Sequence, residues 1–213
     1  MNDKIAIIDY GAGNLRSVTN AIDKLGYKAQ ITGNPEDVLS ASAVILPGVG
    51  AASEAMANLK KLRLDAAIRQ IIDRGTPFLG VCLGLQILLD STEEDNNQEC
   101  LGIIPGKVRK FSFKAKDLKI PHMGWNQVKL RISHPVFDGV PDKTNFYFVH
   151  SYYADPKDKK VVGGETEYGA PFCSVVARGN LVATQFHPEK SGDIGLKIFD
   201  NFIKLALVLA EHK

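Results

Sequence analysis

A cysteine between two glycines, Gly80-Val81-Cys82-Leu83-Gly84, joins an apolar strand to an apolar helix and so dictates the geometry of everything near it. The run before it, Pro77 to Val81, reads as a buried strand, and the run after it, Leu83 to Leu89, as a helix. A strand turning directly into a helix at a reactive side chain is the G-x-nucleophile-x-G elbow with cysteine in the serine position. The glycines permit the tight turn and the close approach of other backbone. The sulfur is lifted clear of the sheet, and the free N–H groups and positive end of the helix favour thiolate over thiol. The Leu83 N–H is placed to receive an oxyanion. Against this stands the ordinary fate of a cysteine in an apolar strand, which is to serve as a small core residue. The pentapeptide alone leaves both readings open.

Two further segments weigh in favour of chemistry. Gln185-Phe186-His187-Pro188-Glu189-Lys190-Ser191 follows an apolar strand, Leu181 to Thr184. A histidine at a strand end with a carboxylate two residues on has its own orienting partner. Glu189 fixes one imidazole nitrogen, and the other is free to take a proton from Cys82 or give one to a leaving group. Pro188 restricts His187 to extended backbone. Pro47-Gly48-Val49-Gly50 follows the strand Ala43 to Leu46 and reads as a turn whose N–H groups, at Gly48 and Val49, offer a second oxyanion donor. Each of the two also has a plain loop reading. All three segments, however, end apolar strands, and ligands of open α/β sheets bind at the carboxyl ends of strands.

The first ninety residues alternate strand and helix. A strand at Lys4 to Asp9 precedes a helix with Leu15, Val18, Ile22 and Leu25 on one face, ended by Gly26. A strand near Lys28 to Ile31 leads to Asn34-Pro35, an N-cap followed by proline at the first helical position. Helices follow at about Ser53 to Leu59 and Asp65 to Arg74, the second capped by Gly75. This pattern predicts an α/β fold, an open and mostly parallel sheet with helices on both faces. Beyond Ser91 the polar run Thr92 to Glu99 reads as a loop, and strands dominate from Ile103 to Thr184. Gly179-Asn180 marks a hairpin there, and antiparallel strands are expected at one side of the sheet. A last helix, about Ile194 to Leu209, carries Ile198, Phe202, Leu205 and Leu209 on its apolar side. With no repeat and no linker, residues 1–213 read as a single domain.

Composition closes off other classes. A net charge of +2 is near neutral and implies no large nucleic-acid footprint. Three cysteines without C-x-x-C spacing argue against a disulfide framework and against zinc. There is no signal peptide and no membrane-length apolar run, so a reducing cytoplasm fits best. Gly11-Ala12-Gly13 begins like a dinucleotide fingerprint, but Arg16 stands where glycine or alanine is needed. His122, His134, His150 and His212 lack ligand spacing and read as structural or surface residues. Lys110, Lys114, Lys116 and Lys119 read as the lysine-protected edge of a sheet.

The ordered set resembles a class I, or triad, glutamine amidotransferase. Within that family it is similar to the glutaminase subunits of imidazole glycerol phosphate synthases of histidine biosynthesis. The elbow and His187-Pro188-Glu189 are shared by the wider family. The segment Asp9 to Ser17, the Pro47 to Gly50 turn, and Gly124-Trp125-Asn126 point to the narrower group. The resemblance implies a flavodoxin-like fold and a catalytic Cys82, His187 and Glu189, with an oxyanion hole at Leu83, Val49 and Gly48 and no cofactor or metal. It implies that Gly50, Gln86, Glu94, Ser151 and Tyr152 hold glutamine. It also implies that Asn14, Arg16, Trp125 and Lys190 face a (β/α)₈-barrel cyclase subunit in a heterodimer. That partner uses the ammonia to form imidazole glycerol phosphate and AICAR. For Trp125, a core anchor remains the competing reading. Glutaminases of other pathways, and non-catalytic regulatory modules on the same fold, are the rival functions. Val49 stands where sister glutaminases carry glycine or proline; being β-branched, it disfavours positive φ, which predicts a hole held closed at rest.

Overall fold

The computed structural model describes residues 4–11, 14–95, 97–113 and 118–211. Ala12, Gly13, Asn96, Lys114, Lys116 and His212, which figure in the sequence reading, lie outside these residues.

The expected alternation runs through β1 (Ile5–Ile8), α1 (Leu15–Lys24), β2 (Ala29–Thr32), α2 (Pro35–Ser40), β3 (Ala43–Gly48), α3 (Ala52–Lys61), α4 (Leu64–Asp73), β4 (Phe78–Cys82) and α5 (Leu83–Gln86). Strands follow: β5 (Ser91–Thr92), β6 (Gln98–Glu99), β7 (Gly106–Lys110), β8 (His122–Leu130), β9 (Thr144–His150), β10 (Tyr152–Pro156), β11 (Val162–Glu167), β12 (Pro171–Arg178) and β13 (Leu181–Thr184). The long helix α6 (Gly192–Glu211) closes the chain. Local signals set the boundaries. The Asn34 side chain accepts the Glu36 N–H at 3.0 Å, with Pro35 opening α2. Gly26, at φ +84°, ends α1 by donating to Asp23 O at 3.0 Å while Tyr27 donates to Ile22 O at 3.2 Å.

The main sheet runs β2-β1-β3-β4-β13-β12-β10-β7-β5-β6. Its first five strands are parallel, and β12, β10 and β7 continue it antiparallel. Strand β11 leads from β12 to β8, which pairs with β9. Alternation along β1 splits the core in two. Ala6 and Ile8 meet Val38, Leu59 and Ile68 of α2 to α4. Ile5 and Ile7 lie in the core that holds Val18 and Ile22 of α1 and Ile198, Phe199 and Phe202 of α6. Helices therefore cover both faces, as the βαβ pattern predicts.

Four expectations need correction. The helix after the elbow stops at Gln86, not Leu89: Leu88 and Leu89 donate three residues back, to Leu85 O at 3.2 Å and Gln86 O at 3.1 Å, and the carbonyls of residues 87–89 then accept from the N–H groups of residues 101–104 as the chain returns. Strand β3 continues through Pro47 and Gly48, where Gly48 pairs with Cys82, so the turn begins only at Val49. The polar run after Ser91 is not all loop: β5 and β6 pair antiparallel within it. On α6 the buried stripe passes through Ile198, Phe199, Phe202, Ile203 and Ala206, leaving Leu205 and Leu209 half-buried at its edge.

Candidate active site

Strands β3, β4 and β13 are neighbours in the sheet, and their carboxyl ends carry the three segments singled out in the sequence. Cys82 sits at the elbow with φ +55° and ψ −105°, a conformation L-residues avoid. Holding it costs on the order of 1–3 kcal/mol, which the surrounding packing must supply. The flanking glycines are sterically required. A Cβ at Gly84 would lie 2.0 Å from the Leu46 carbonyl oxygen, and one at Gly80 would lie 2.8 Å from Gly84 O. The thiol is buried rather than solvent-bathed; Gln185 Nε2 donates to its sulfur at 3.6 Å, and Val149 O lies 4.0 Å away. With α5 only one turn long, its dipole contributes little here. Leu83, first in the helix, has no intrahelical acceptor for its N–H.

His187 is pinned by its backbone. Its N–H donates to Tyr147 O at 2.9 Å, and its carbonyl accepts the Ser191 hydroxyl at 2.7 Å. Pro188 opens a 3₁₀ turn, Pro188–Lys190, that folds Glu189 back under the ring. His187 Nδ1 meets Glu189 Oε1 at 2.7 Å, both side chains being 1% exposed. The other nitrogen, Nε2, is buried without a hydrogen-bond partner. Burial disfavours the imidazolium, but the Cys82 and Glu189 side chains outweigh it and raise the His187 pKa. Asn14 Nδ2 also donates to Glu189 Oε1, at 3.3 Å, so this residue supports the carboxylate from α1's N-cap position.

A cavity of about 340 Å³ opens over the sulfur, within the range of small-molecule sites. Cys82, Leu83, His187, Val49, Gly50, Gln86, Glu94, Ser151 and Tyr152 all line it. Gly48 and Glu189 do not; they stand behind its wall. Gly48 is packed so closely that an added Cβ would lie 2.6 Å from the Tyr10 hydroxyl and 2.8 Å from Leu83 Cβ. Gln86 is buried, and its Nε2 donates to Tyr152 O at 2.9 Å and Gln185 Oε1 at 3.2 Å. What this side chain offers a ligand is therefore its carbonyl oxygen. Glu94 Oε2 accepts the Ala52 N–H at the start of α3, at 2.9 Å. Gln185, Val149 and His150 belong to the site although sequence reasoning did not single them out. Gln185 had one available signal: an amide that follows a buried strand directly and precedes His187 by two residues.

Trp125 is 59% exposed and Met123 62%, both on β8. Such exposure removes the core-anchor reading of Trp125. Its ring meets Tyr147 edge-on at 6.1 Å, and Lys190 Nζ lies 5.8 Å from the Tyr147 ring centre, so Trp125 and Lys190 share one surface. Arg16 is exposed and Asn14 half-buried. No group of three His, Cys, Asp or Glu suited to a metal occurs among the described residues, and no described helix is long and apolar enough to cross a membrane.

Comparison with known proteins identifies the family. The sequence model of the family "Glutamine amidotransferase class-I" matches residues 6–205. The imidazole glycerol phosphate synthase subunit HisH of Dehalococcoides mccartyi strain CBDB1 is 55% identical over 95% of this chain and 98% of its own. The subunit of the same name from Methanocaldococcus jannaschii is 51% identical over 94% of this chain and 99% of its own. Among solved structures, PurLQS of Thermotoga maritima superposes with a TM-score of 0.75 at 18% identity, covering 96% of this chain and 99% of that one, which is a likeness of fold. A nucleophile elbow, a buried histidine–glutamate pair at the neighbouring strand end and a family match along nearly the whole length lead to one conclusion: this chain belongs to the class-I glutamine amidotransferases, among relatives named imidazole glycerol phosphate synthase subunit HisH.

Proposed function

We propose that this chain is the glutaminase subunit of an imidazole glycerol phosphate synthase, hydrolysing L-glutamine to glutamate and ammonia for histidine biosynthesis. The observation that carries this reading is the buried His187–Glu189 pair: His187 lines one cavity with Cys82, and Glu189 holds its ring from behind the cavity wall. Glutamine lies with its α-ammonium between the Gln86 carbonyl oxygen and the Glu94 carboxylate, both acceptors. Its carboxylate lies on backbone N–H groups around Ser151 and Tyr152, and Gly50 closes the same wall.

The Cys82 thiolate attacks the side-chain amide carbon, and the carbonyl π pair moves to oxygen. The N–H groups of Leu83 and of the turn that begins at Val49 receive the oxyanion, while Gly48, behind the cavity wall, is the close-packed end of β3 that sets this turn. His187, protonated and held by Glu189, gives its Nε2 proton to the departing nitrogen, so the C–N bond breaks and ammonia leaves. A water molecule, losing its proton to the now neutral His187, attacks the thioester. The C–S bond breaks, glutamate forms and the thiolate–imidazolium pair returns. The cycle needs no metal or organic cofactor.

The names of the relatives support a second subunit, which we read as a (β/α)₈-barrel cyclase in a heterodimer that takes the ammonia directly. Trp125, Lys190, Arg16 and Asn14 are assigned to that interface. The exposed Trp125–Tyr147–Lys190 surface supports this assignment. Residues 1–213 act as one amidotransferase domain, in the cytoplasm.

A diazoketone analogue of glutamine tests the nucleophile. Protonation of the diazo carbon, by His187 or solvent, makes dinitrogen a leaving group; the thiolate displaces it to form a stable C–S thioether, and peptide mapping locates the adduct. One adduct per chain on Cys82, blocked by excess glutamine and absent from Cys82→Ala, is expected. Labelling at Cys100 or Cys173 instead, or no protection by glutamine, contradicts the assignment.

A further inference from the structure

Two carbonyl oxygens, which can only accept, fix the direction of a hydrogen-bond chain through the interior behind the cavity. At the outer end, Asn126 Nδ2 donates to Glu167 O at 2.9 Å while Asn126 Oδ1 accepts the Gln127 N–H at 2.8 Å. The amide orientation is thereby set, and its second hydrogen is directed to His122 Nε2, 3.2 Å away. At the inner end, His150 Nδ1 lies 2.7 Å from Tyr152 O, so that nitrogen carries a proton. Burial lowers the pKa of His122 to about 4 and that of His150 to about 3, so each ring is neutral at pH 7 and holds one N–H. His150 Nε2 is then an acceptor. His122 Nδ1, 2.9 Å from it, must be the donor, which leaves His122 Nε2 bare for Asn126. Reasoning from either end gives the same tautomers.

The inner end is a node. Tyr152 O also accepts from Gln86, whose amide nitrogen donates to Gln185 Oε1, and Gln185 Nε2 donates to the Cys82 sulfur. The rings sit among aromatic side chains: His122 is stacked against Phe148 and Tyr168, with Phe111 and Phe172 at its edges, and His150 packs against Phe111 and Phe172. The titratable groups facing the pair are Tyr168 on His122 and His187 beyond His150.

We propose that Asn126, His122 and His150 are positioning residues: a directed chain, Asn126 to His122 to His150 to the Tyr152 carbonyl, that holds the 151–152 backbone and the Gln86 side chain in the orientation that receives the amino-acid head group. The proposal rests on the glutaminase reading above. It also places the chain's outer end beside exposed Trp125 on β8, so that a load on that strand is felt at the cavity.

The test has two arms. Nitrogen-15 spectra of the imidazoles in the unmodified protein are expected to show both His122 and His150 as neutral Nδ1–H tautomers at pH 7. A proton on Nε2 of either ring overturns the chain, whatever the activity. The second arm compares His122→Phe, which keeps a ring but donates nothing, with His122→Asn, whose amide nitrogen replaces Nδ1. With the cyclase subunit present, His122→Phe is expected to raise KM for glutamine roughly three- to tenfold, the worth of one buried hydrogen bond, and His122→Asn to restore it. The kcat of both stays within about twofold of the unmodified enzyme, since the reacting groups are untouched. An unchanged KM in His122→Phe, or equal loss in both variants, overturns the proposal. If the unmodified complex releases no glutamate, the glutaminase reading fails, and the spectra still decide the chain.

Discussion

Cys82 and Val49 line the same cavity under opposite backbone demands. Cys82 occupies positive φ and is held there by two glycines whose Cβ atoms would collide with backbone. Val49 is absent from the described non-glycine residues at positive φ, whereas its neighbour Gly50 lies at +94°. A β-branched residue tolerates the present orientation of the turn and resists the one that positive φ would bring. Replacing Val49 with glycine is therefore expected to raise glutamate release by the isolated chain about tenfold, the equivalent of about 1.4 kcal/mol of relieved backbone bias, and leave the fully assembled rate nearly unchanged. Steady-state assay of the variant without partner checks this, and an unaltered basal rate contradicts it. The elbow and the histidine–glutamate pair were legible in the sequence because their constraints are local: glycine spacing in one, an i, i+2 pair around proline in the other. Gln185, His150 and His122 were not, because their roles come from contacts across strands. His122 and His150 lie opposite each other only in the register of β8 and β9. The family resemblance places Asn14 at the partner interface, and nothing in its sequence neighbours signals the bond to Glu189 that long-range folding brings about.

At the level of elements, the parallel half of the sheet was readable from alternation and caps, while lengths were lost wherever a distant segment competed for backbone groups. The helix α5 is the clearest case: its last turn tightens to i−3 bonds at Leu88 and Leu89, and residues 101–104 satisfy the carbonyls that follow. The strand pair β8–β9 and the turn after β13 also carry opposed titrations. His122 and His150 have pKa values lowered from 6.5, so their contribution to stability is whole above that pH and is lost as pH falls toward about 4 and 3. His187 is raised, so its contribution is whole below 6.5 and declines as pH rises through its elevated value. Asp37 and Asp155 are lowered from 3.8, the first by the Lys4 ammonium and the second by Arg109 and Lys159 against the effect of burial; they weigh only at more acid pH. The histidines together predict a stability maximum near pH 6.5. Urea midpoints at about pH 5, 6.5 and 8.5 read it directly, and a monotonic rise or fall across that range contradicts the assignment.

As a whole, the molecule is a sheet with its reactive groups gathered at the carboxyl ends of three adjacent parallel strands and an antiparallel extension that presents Trp125 and Met123 outward. The parallel half carries the residues proposed as nucleophile, base and oxyanion hole. The antiparallel half supplies the back wall at Ser151 and Tyr152 and the exposed surface assigned to the partner. The directed chain from Asn126 to Tyr152 spans the two roles, and it gives the extension a physical route to the cavity. Glutamate release from glutamine tests the central claim most directly, measured on the purified chain alone, with the barrel cyclase subunit, and with that subunit plus its ribonucleotide substrate. The account predicts slow release alone, strong stimulation in the full mixture, and complete loss in Cys82→Ala. No release in any mixture, or release that survives Cys82→Ala, would contradict it.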